Sequence, residues 1–172
     1  LKTRQPLIVT ARITDSDLEP FDRLRQAHFP ADRNFLRAHM TMFHRLPGEY
    51  EARIVDTLNG IVQNTDMMIA EVSGVRHLGA GVAYAITCPQ LLDIRATIAA
   101  ELIAWLGPQD RQKWQPHITV QNKVSKQRAD DLYRNLSHSF QPHPIHISGL
   151  DVWQYLGGPW QHTTTVQFGR GS

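Results

Sequence analysis

The sequence predicts an α+β chain in which one strand–helix unit is written twice. Three observations predict it. Short β-branched runs alternate with segments of helical periodicity along the whole chain. The triplet His39-Met40-Thr41 returns in the second half as His117-Ile118-Thr119. Leu78-Gly79 returns as Leu156-Gly157 after the same interval, so each triplet stands the same distance before a Leu-Gly turn.

The elements follow in order. Pro6 to Ile13 is apolar and β-branched, a strand. Ser16-Asp17-Leu18-Glu19 has capping-box spacing and predicts a helix to about His28. Leu36 to Leu46 is the first motif strand, closed by Pro47-Gly48. Tyr50, Ile54, Leu58, Ile61 and Val62 recur at helical spacing and predict a helix over 49–63. Met67 to Val72 is a strand followed by Ser73-Gly74.

The second half repeats the order. Gly81 to Thr87 is a strand, and Leu91, Ile94, Ile98, Leu102 and Trp105 mark a helix over 90–106 ended by Gly107-Pro108. Gln115 to Asn122 is the second motif strand. Ser125 caps a helix with the stripe Ala129, Leu132, Tyr133, Leu136, and Pro144 to Val152 is a further strand containing Ser148-Gly149. The two Ser-Gly pairs fall short of the common interval, which implies a three-residue length change inside the repeat.

Composition sets outer limits. The 172 residues suit a single domain with a real core; 41% are hydrophobic and 20% charged, so disordered and low-complexity classes are excluded. A net charge of +2 favours an anionic ligand mildly and is far from the balance of a nucleic-acid coat. One cysteine, Cys88, excludes an internal disulfide and a cysteine-based zinc site. No apolar run approaches the roughly 18 residues of a membrane span. The start at Lys2, Thr3 and Arg4 shows no secretory pattern, so a cytoplasmic monomer is expected.

A lone H-x-T triplet carries little weight. With 9 His in 172 residues, chance supplies about 0.6 such triplets, and His162-Thr163-Thr164 is a third one. The repeated frame selects between them: one repeat interval before His162 stands Tyr84, not a histidine. Within a strand, residues two apart share a face. His39, Thr41 and Phe43 are therefore expected on one face, and His117, Thr119 and Gln121 on one face of the other copy. Two lobes packed with pseudo-twofold symmetry would line one cleft with both pairs.

That set suits phosphodiester cleavage. The reaction needs a base for the incoming oxygen, an acid for the leaving oxygen, and donors for the non-bridging oxygens. Histidine, with an ordinary pKa of about 6.5, serves as either acid or base near neutrality. Threonine hydroxyls donate to phosphate oxygens.

On these residues the chain resembles the 2H phosphoesterases, the superfamily with two H-x-[ST] motifs. Within it the chain is most similar to the bacterial 2′-5′ RNA ligase / 2′,3′-cyclic phosphodiesterase group. The resemblance covers nearly the whole chain. It implies one domain over 1–172 with a bilobal, pseudo-twofold fold: two antiparallel sheets flanked by helices around a central cleft. It implies no metal and no cofactor. The implied reaction opens a cyclic phosphate on an RNA end or nucleotide to a 2′-phosphate, with ATP-independent 2′-5′ ligation as its reverse. Carried over, His39, Thr41, His117 and Thr119 are catalytic, with His117 as base and His39 as acid. Members often carry Leu-Pro-Pro before the first motif; here Leu36-Arg37-Ala38 stands there, and His44-Arg45-Leu46-Pro47 follows.

Other residues are candidates for substrate contact. Arg37, His44, Arg45 and Lys123 flank the motifs and could meet phosphates; solvated strand-end charges are the simpler alternative. Phe43, Tyr84 and Trp160 could stack on a base, against a plain packing role. His143 and His146 have no third ligand at metal-site spacing. Cys88 before Pro89 reads as structural. Histidine-triad nucleotide hydrolases are excluded because Thr119 and Gln121 stand where alternating histidines are needed. A non-catalytic RNA- or nucleotide-binding protein and an enzyme for a non-RNA cyclic phosphate, such as ADP-ribose cyclic phosphate, remain as alternatives.

Overall fold

Strands and helices form where the side-chain periodicity places them, with a few informative shifts. The structure is a computed structural model describing residues 4–169; Lys2 and Thr3 lie outside the described residues. Strand β1 spans Leu7–Ile13 and helix α1 Asp15–His28. Thr14, not Ser16, is the N-cap of α1, and its hydroxyl donates to Asp17 Oδ2 at 2.8 Å. β2 (Met40–Leu46), α2 (Glu51–Val62) and β3 (Met68–His77) complete the first unit. β4 (Val82–Thr87), α3 (Pro89–Glu101), β5 (His117–Gln121), α4 (Lys126–Ser139) and β6 (His143–Tyr155) repeat it. The Ser125 cap on α4 holds: its Oγ accepts from Arg128 N at 3.3 Å. A last strand, β7 (Trp160–Gln167), was not indicated by the sequence because its polar residues leave only Val166 buried.

The strands form one antiparallel sheet in the order β2-β1-β6-β3-β4-β5, with β7 on β6. Long β6 joins two halves. Its residues 147–154 pair with β1 and 149–155 with β7, whereas 143–147 pair with β3. The halves β2-β1-β6-β7 and β6-β3-β4-β5 therefore share one strand, and the duplicated two-sheet α+β fold is fused along it. α1 packs on β5 and α4 on β3 and β4, while α2 packs on β7 and α3. The two ends of the strand order, β2 and β5, pack against each other, so the sheet is strongly curled.

The repeat is visible in backbone detail. Leu78 N–H donates to Gly81 O at 2.8 Å, and Leu156 N–H to Pro159 O at 2.9 Å. Gly79 and Gly157 turn these hairpins at φ +87 and +93, a region that glycine enters without a Cβ penalty. Each unit also carries the same two bulges. Ser73 and Ser148 are the extra residues where the β3–β4 and β1–β6 registers slip. The Ser73-Gly74 pair thus lies inside β3 rather than ending it.

The second pair of bulges corrects a side-chain assignment. Val9 faces Phe43 and the next pair is Thr10 with Thr41, leaving Met42 extra; Val82 faces Gln121 and the next pair is Ala83 with Thr119, leaving Val120 extra. A bulge breaks the two-residue alternation. Phe43 and Gln121 consequently turn away from the His/Thr face and are buried. Tyr84 is also corrected: it pairs with Ile118, on the face opposite the histidine, and packs edge-on to Phe21 at 5.2 Å. One core runs through both halves, with Met40, Met42, Ile54, Leu58, Ile118 and Val120 fully buried. Each such side chain contributes roughly 1.5–3 kcal/mol of burial, and together they fix the motif strands from behind.

Candidate active site

The two triplets sit at the starts of the two edge strands. His39 immediately precedes β2 and His117 opens β5, and both rings are partly buried. The rings are held alike. His39 Nδ1 lies 2.9 Å from Arg37 O, and His117 Nδ1 lies 2.9 Å from Gln115 O. Only an Nδ1–H can bond a carbonyl, so Nδ1 carries the proton in both and Nε2 is left for chemistry. Among the described residues, neither the Thr41 nor the Thr119 hydroxyl has a protein partner.

Edge strands leave carbonyls unpaired, and here buried or half-buried side chains satisfy them across the lobes. Arg25 of α1 donates from Nη1 to Thr119 O at 3.3 Å and from Nε to Asn34 Oδ1 at 2.9 Å. Arg95 of α3 donates from Nε to Met42 O at 3.1 Å and from Nη2 to Asp110 O at 2.8 Å. Trp114 Nε1 donates to Thr41 O at 3.0 Å. Each motif strand is thus gripped by an arginine from the other unit. Carboxylates fix the flanks: Asp22 accepts from Ala38 N at 2.8 Å, and Asp110 accepts from His44 N at 2.9 Å and Arg45 N at 3.1 Å. These positioning residues escaped the sequence reading. Their one available signal was an arginine on an otherwise apolar helical stripe, as in Leu91, Arg95, Ile98, Leu102.

Electrostatics keep both rings neutral in the free site. Burial pushes His39 down to about 4, against the Arg37 carbonyl and with help from the charges of Arg25, His117 and His44. Burial also lowers His117, opposed by the Gln115 carbonyl and reinforced by Arg76 and His44. Asp110 is lowered: burial alone would raise it, and the hydrogen bonds from His44 and Arg45 outweigh that. A phosphate anion beside either ring would favour its imidazolium and reverse the balance.

A cavity of about 400 Å³ opens beside His39. His39, Trp160, Trp153 and His162 form a continuous run of rings, with successive centroids 4.6, 6.1 and 5.0 Å apart. Trp160 is therefore beside His39, while Phe43 lies under the Arg95 guanidinium at 4.3 Å in the core. Arg37 lines the cavity and sits 3.5 Å from Asp22. Arg45 is exposed and lines a separate depression with Trp105 and Leu106. Lys123 is exposed in the turn after β5, at φ 61, outside the cavity. His162, set aside by the repeat alignment, stands on the cavity wall bonded to Asp151 at 2.9 Å.

Comparison with known proteins agrees with this architecture. TT0787 of Thermus thermophilus superposes with a TM-score of 0.69 at 11% identity, over 97% of this chain and 100% of that one. Escherichia coli LigT complexed with 3′-AMP gives 0.63 at 13% identity, over 98% and 99%. Kluyveromyces marxianus Usb1 gives 0.52 at 14% identity, over 96% and 99%. No curated protein matches at the level of sequence. The family model described as the 2′-5′ RNA ligase superfamily matches residues 13–159, which is most of the chain. The chain belongs to the 2′-5′ RNA ligase superfamily, among the 2H phosphoesterases.

Proposed function

We propose that the chain is a metal-independent phosphodiesterase that opens 2′,3′-cyclic phosphates on RNA ends or nucleotides to 2′-phosphates, with 2′-5′ ligation as the reverse. The observation that carries this is the matched pair of histidines, each with Nδ1 2.9 Å from the carbonyl two residues before it. Two equivalent Nε2 atoms are what a concerted acid–base displacement at phosphorus needs. The 3′-AMP bound by LigT supports a nucleotide ligand.

In the proposed step, His117 Nε2 takes a proton from water as its oxygen bonds to phosphorus. The P–O3′ bond breaks, and the 3′ oxygen takes the proton from His39 Nε2. Thr41 and Thr119 hydroxyls donate to the non-bridging oxygens, where charge develops. The electron pair of the broken bond stays on O3′, and the product keeps its phosphate on O2′. Near neutrality His39 carries that proton only once the phosphate anion is beside it.

The test is turnover of 2′,3′-cyclic nucleotides in EDTA, with the product resolved as 2′- or 3′-phosphate. A 2′-monophosphate formed in chelator is the expected result. Tight binding with no turnover would instead make the chain a nucleotide-binding protein, and turnover restricted to ADP-ribose cyclic phosphate would move the substrate away from RNA.

A further inference from the structure

The duplication is broken beside His39. Between the Ser-Gly bulge and the Leu-Gly turn the second unit is three residues longer, and β6 has 13 residues where β3 has 10. The longer β6–β7 hairpin supplies Trp153, Trp160 and His162 to the cavity wall. At the repeat positions of Trp160 and His162 stand Val82 and Tyr84 of β4, both buried in the core. An aromatic wall therefore stands beside His39, with no such counterpart beside His117 among the described residues.

A polar network lines the same cavity. Asp151, 7% exposed, accepts from Arg12 Nη1 at 3.1 Å, Thr165 Oγ1 at 2.7 Å and His162 Nε2 at 2.9 Å. Arg12 uses only Nη1 in these contacts, so Nε and Nη2 keep donors to spare. His162 gives its Nε2–H to Asp151, which makes Nδ1 the acceptor of the neutral ring.

The charge balance decides what fits. A second phosphate would meet the carboxylates of Asp15 and Asp151 on the same wall, with Arg12 already offset by Asp151 and Arg37 3.5 Å from Asp22. A flat, uncharged ring suits the tryptophan faces better. Its edge must offer a carbonyl to Arg12 and a neighbouring N–H to His162. Guanine (O6, N1–H) and uracil (O4, N3–H) present that edge; adenine and cytosine present the reverse, an amino group beside a bare ring nitrogen.

We infer that this cavity is the nucleobase subsite and that Arg12 and His162 select keto bases. The inference rests on the proposed nucleotide phosphodiesterase reading and deepens it. The experiment titrates the 2′-monophosphates of guanosine, uridine, adenosine and cytidine into the protein and reads tryptophan fluorescence. kcat/KM for the four 2′,3′-cyclic nucleotides is measured in parallel. Guanosine and uridine forms should bind about tenfold or more tighter than the other two, as a site built to pair a polar edge rejects its mismatch. In Arg12→Lys and His162→Phe, which keep the charge or the ring, the preference should shrink to within about threefold. Selective binding without turnover would remove the phosphodiesterase reading and leave the subsite standing. Affinities within threefold in the wild type, no binding at all, or a preference that survives both substitutions overturns it.

Discussion

Arg25 donates from α1 to the main-chain carbonyl of Thr119, 3.3 Å away on the motif strand of the other unit. Arg95 returns the grip from α3 to Met42 O at 3.1 Å. The curled sheet brings β2 and β5 together, and these arginines supply hydrogen bonds that no further strand provides. The geometry of the two triplets is thus set by residues far from them in sequence.

Arg95→Ala should destabilise the protein by about 3–5 kcal/mol, because it leaves the buried main-chain carbonyls of Asp110 and Met42 without their donor and removes the cation 4.0 Å from the Asp110 carboxylate. Urea denaturation of the purified variant checks this. Arg95→Lys should recover part of the loss, since one ammonium cannot reach two carbonyls with the same fork.

Phe43→Ala should cost about 3–5 kcal/mol, as expected for a fully buried ring. Lys123→Ala should stay within about 0.5 kcal/mol, as expected at an exposed turn. Equal effects in thermal unfolding would contradict the bulge that turns Phe43 into the core.

These two positions show what was legible in the sequence. The repeat, the element order, the Leu-Gly turns and the apolar backs of the motif strands were legible because each is local and periodic. The bulges at Met42 and Val120 were not, since a register slip is defined by the partner strand. Strict alternation therefore placed Phe43 and Gln121 on the wrong face. Asp22, Arg25, Arg95 and Asp110 were missed because their partners are backbone atoms of other elements. His162 was set aside because Tyr84 holds its repeat position, yet the longer hairpin carries it to the cavity beside His39.

Trp160→Ala should raise KM for a cyclic nucleotide by about tenfold or more, the size of a lost base–aromatic stack. Trp160→Phe should keep most of the affinity. A fall in kcat with KM unchanged would mean that the ring only positions His39, 4.6 Å away.

The depressed histidines set the pH profile. His39 is held at about 4 and His117 below its ordinary value, both chiefly by burial. Catalysis needs one ring protonated and the other neutral, and the singly protonated free enzyme becomes scarce as pH rises through both values. kcat/KM should therefore peak on the acid side of about 6.5 and fall about tenfold per pH unit above it. kcat should peak at higher pH, because the bound phosphate favours the imidazolium. A kcat/KM that stays flat from pH 7 to 9 would contradict these shifts.

Joint action of the two histidines on one phosphate is read from kcat for a 2′,3′-cyclic nucleotide in EDTA. The variants are His39→Ala, His117→Ala and the double change, each checked for folding. Each single change should lower kcat by at least about 10², and the double change should cost little more than either alone. Near-wild-type turnover in either single variant, or losses that simply multiply in the double, would contradict joint action.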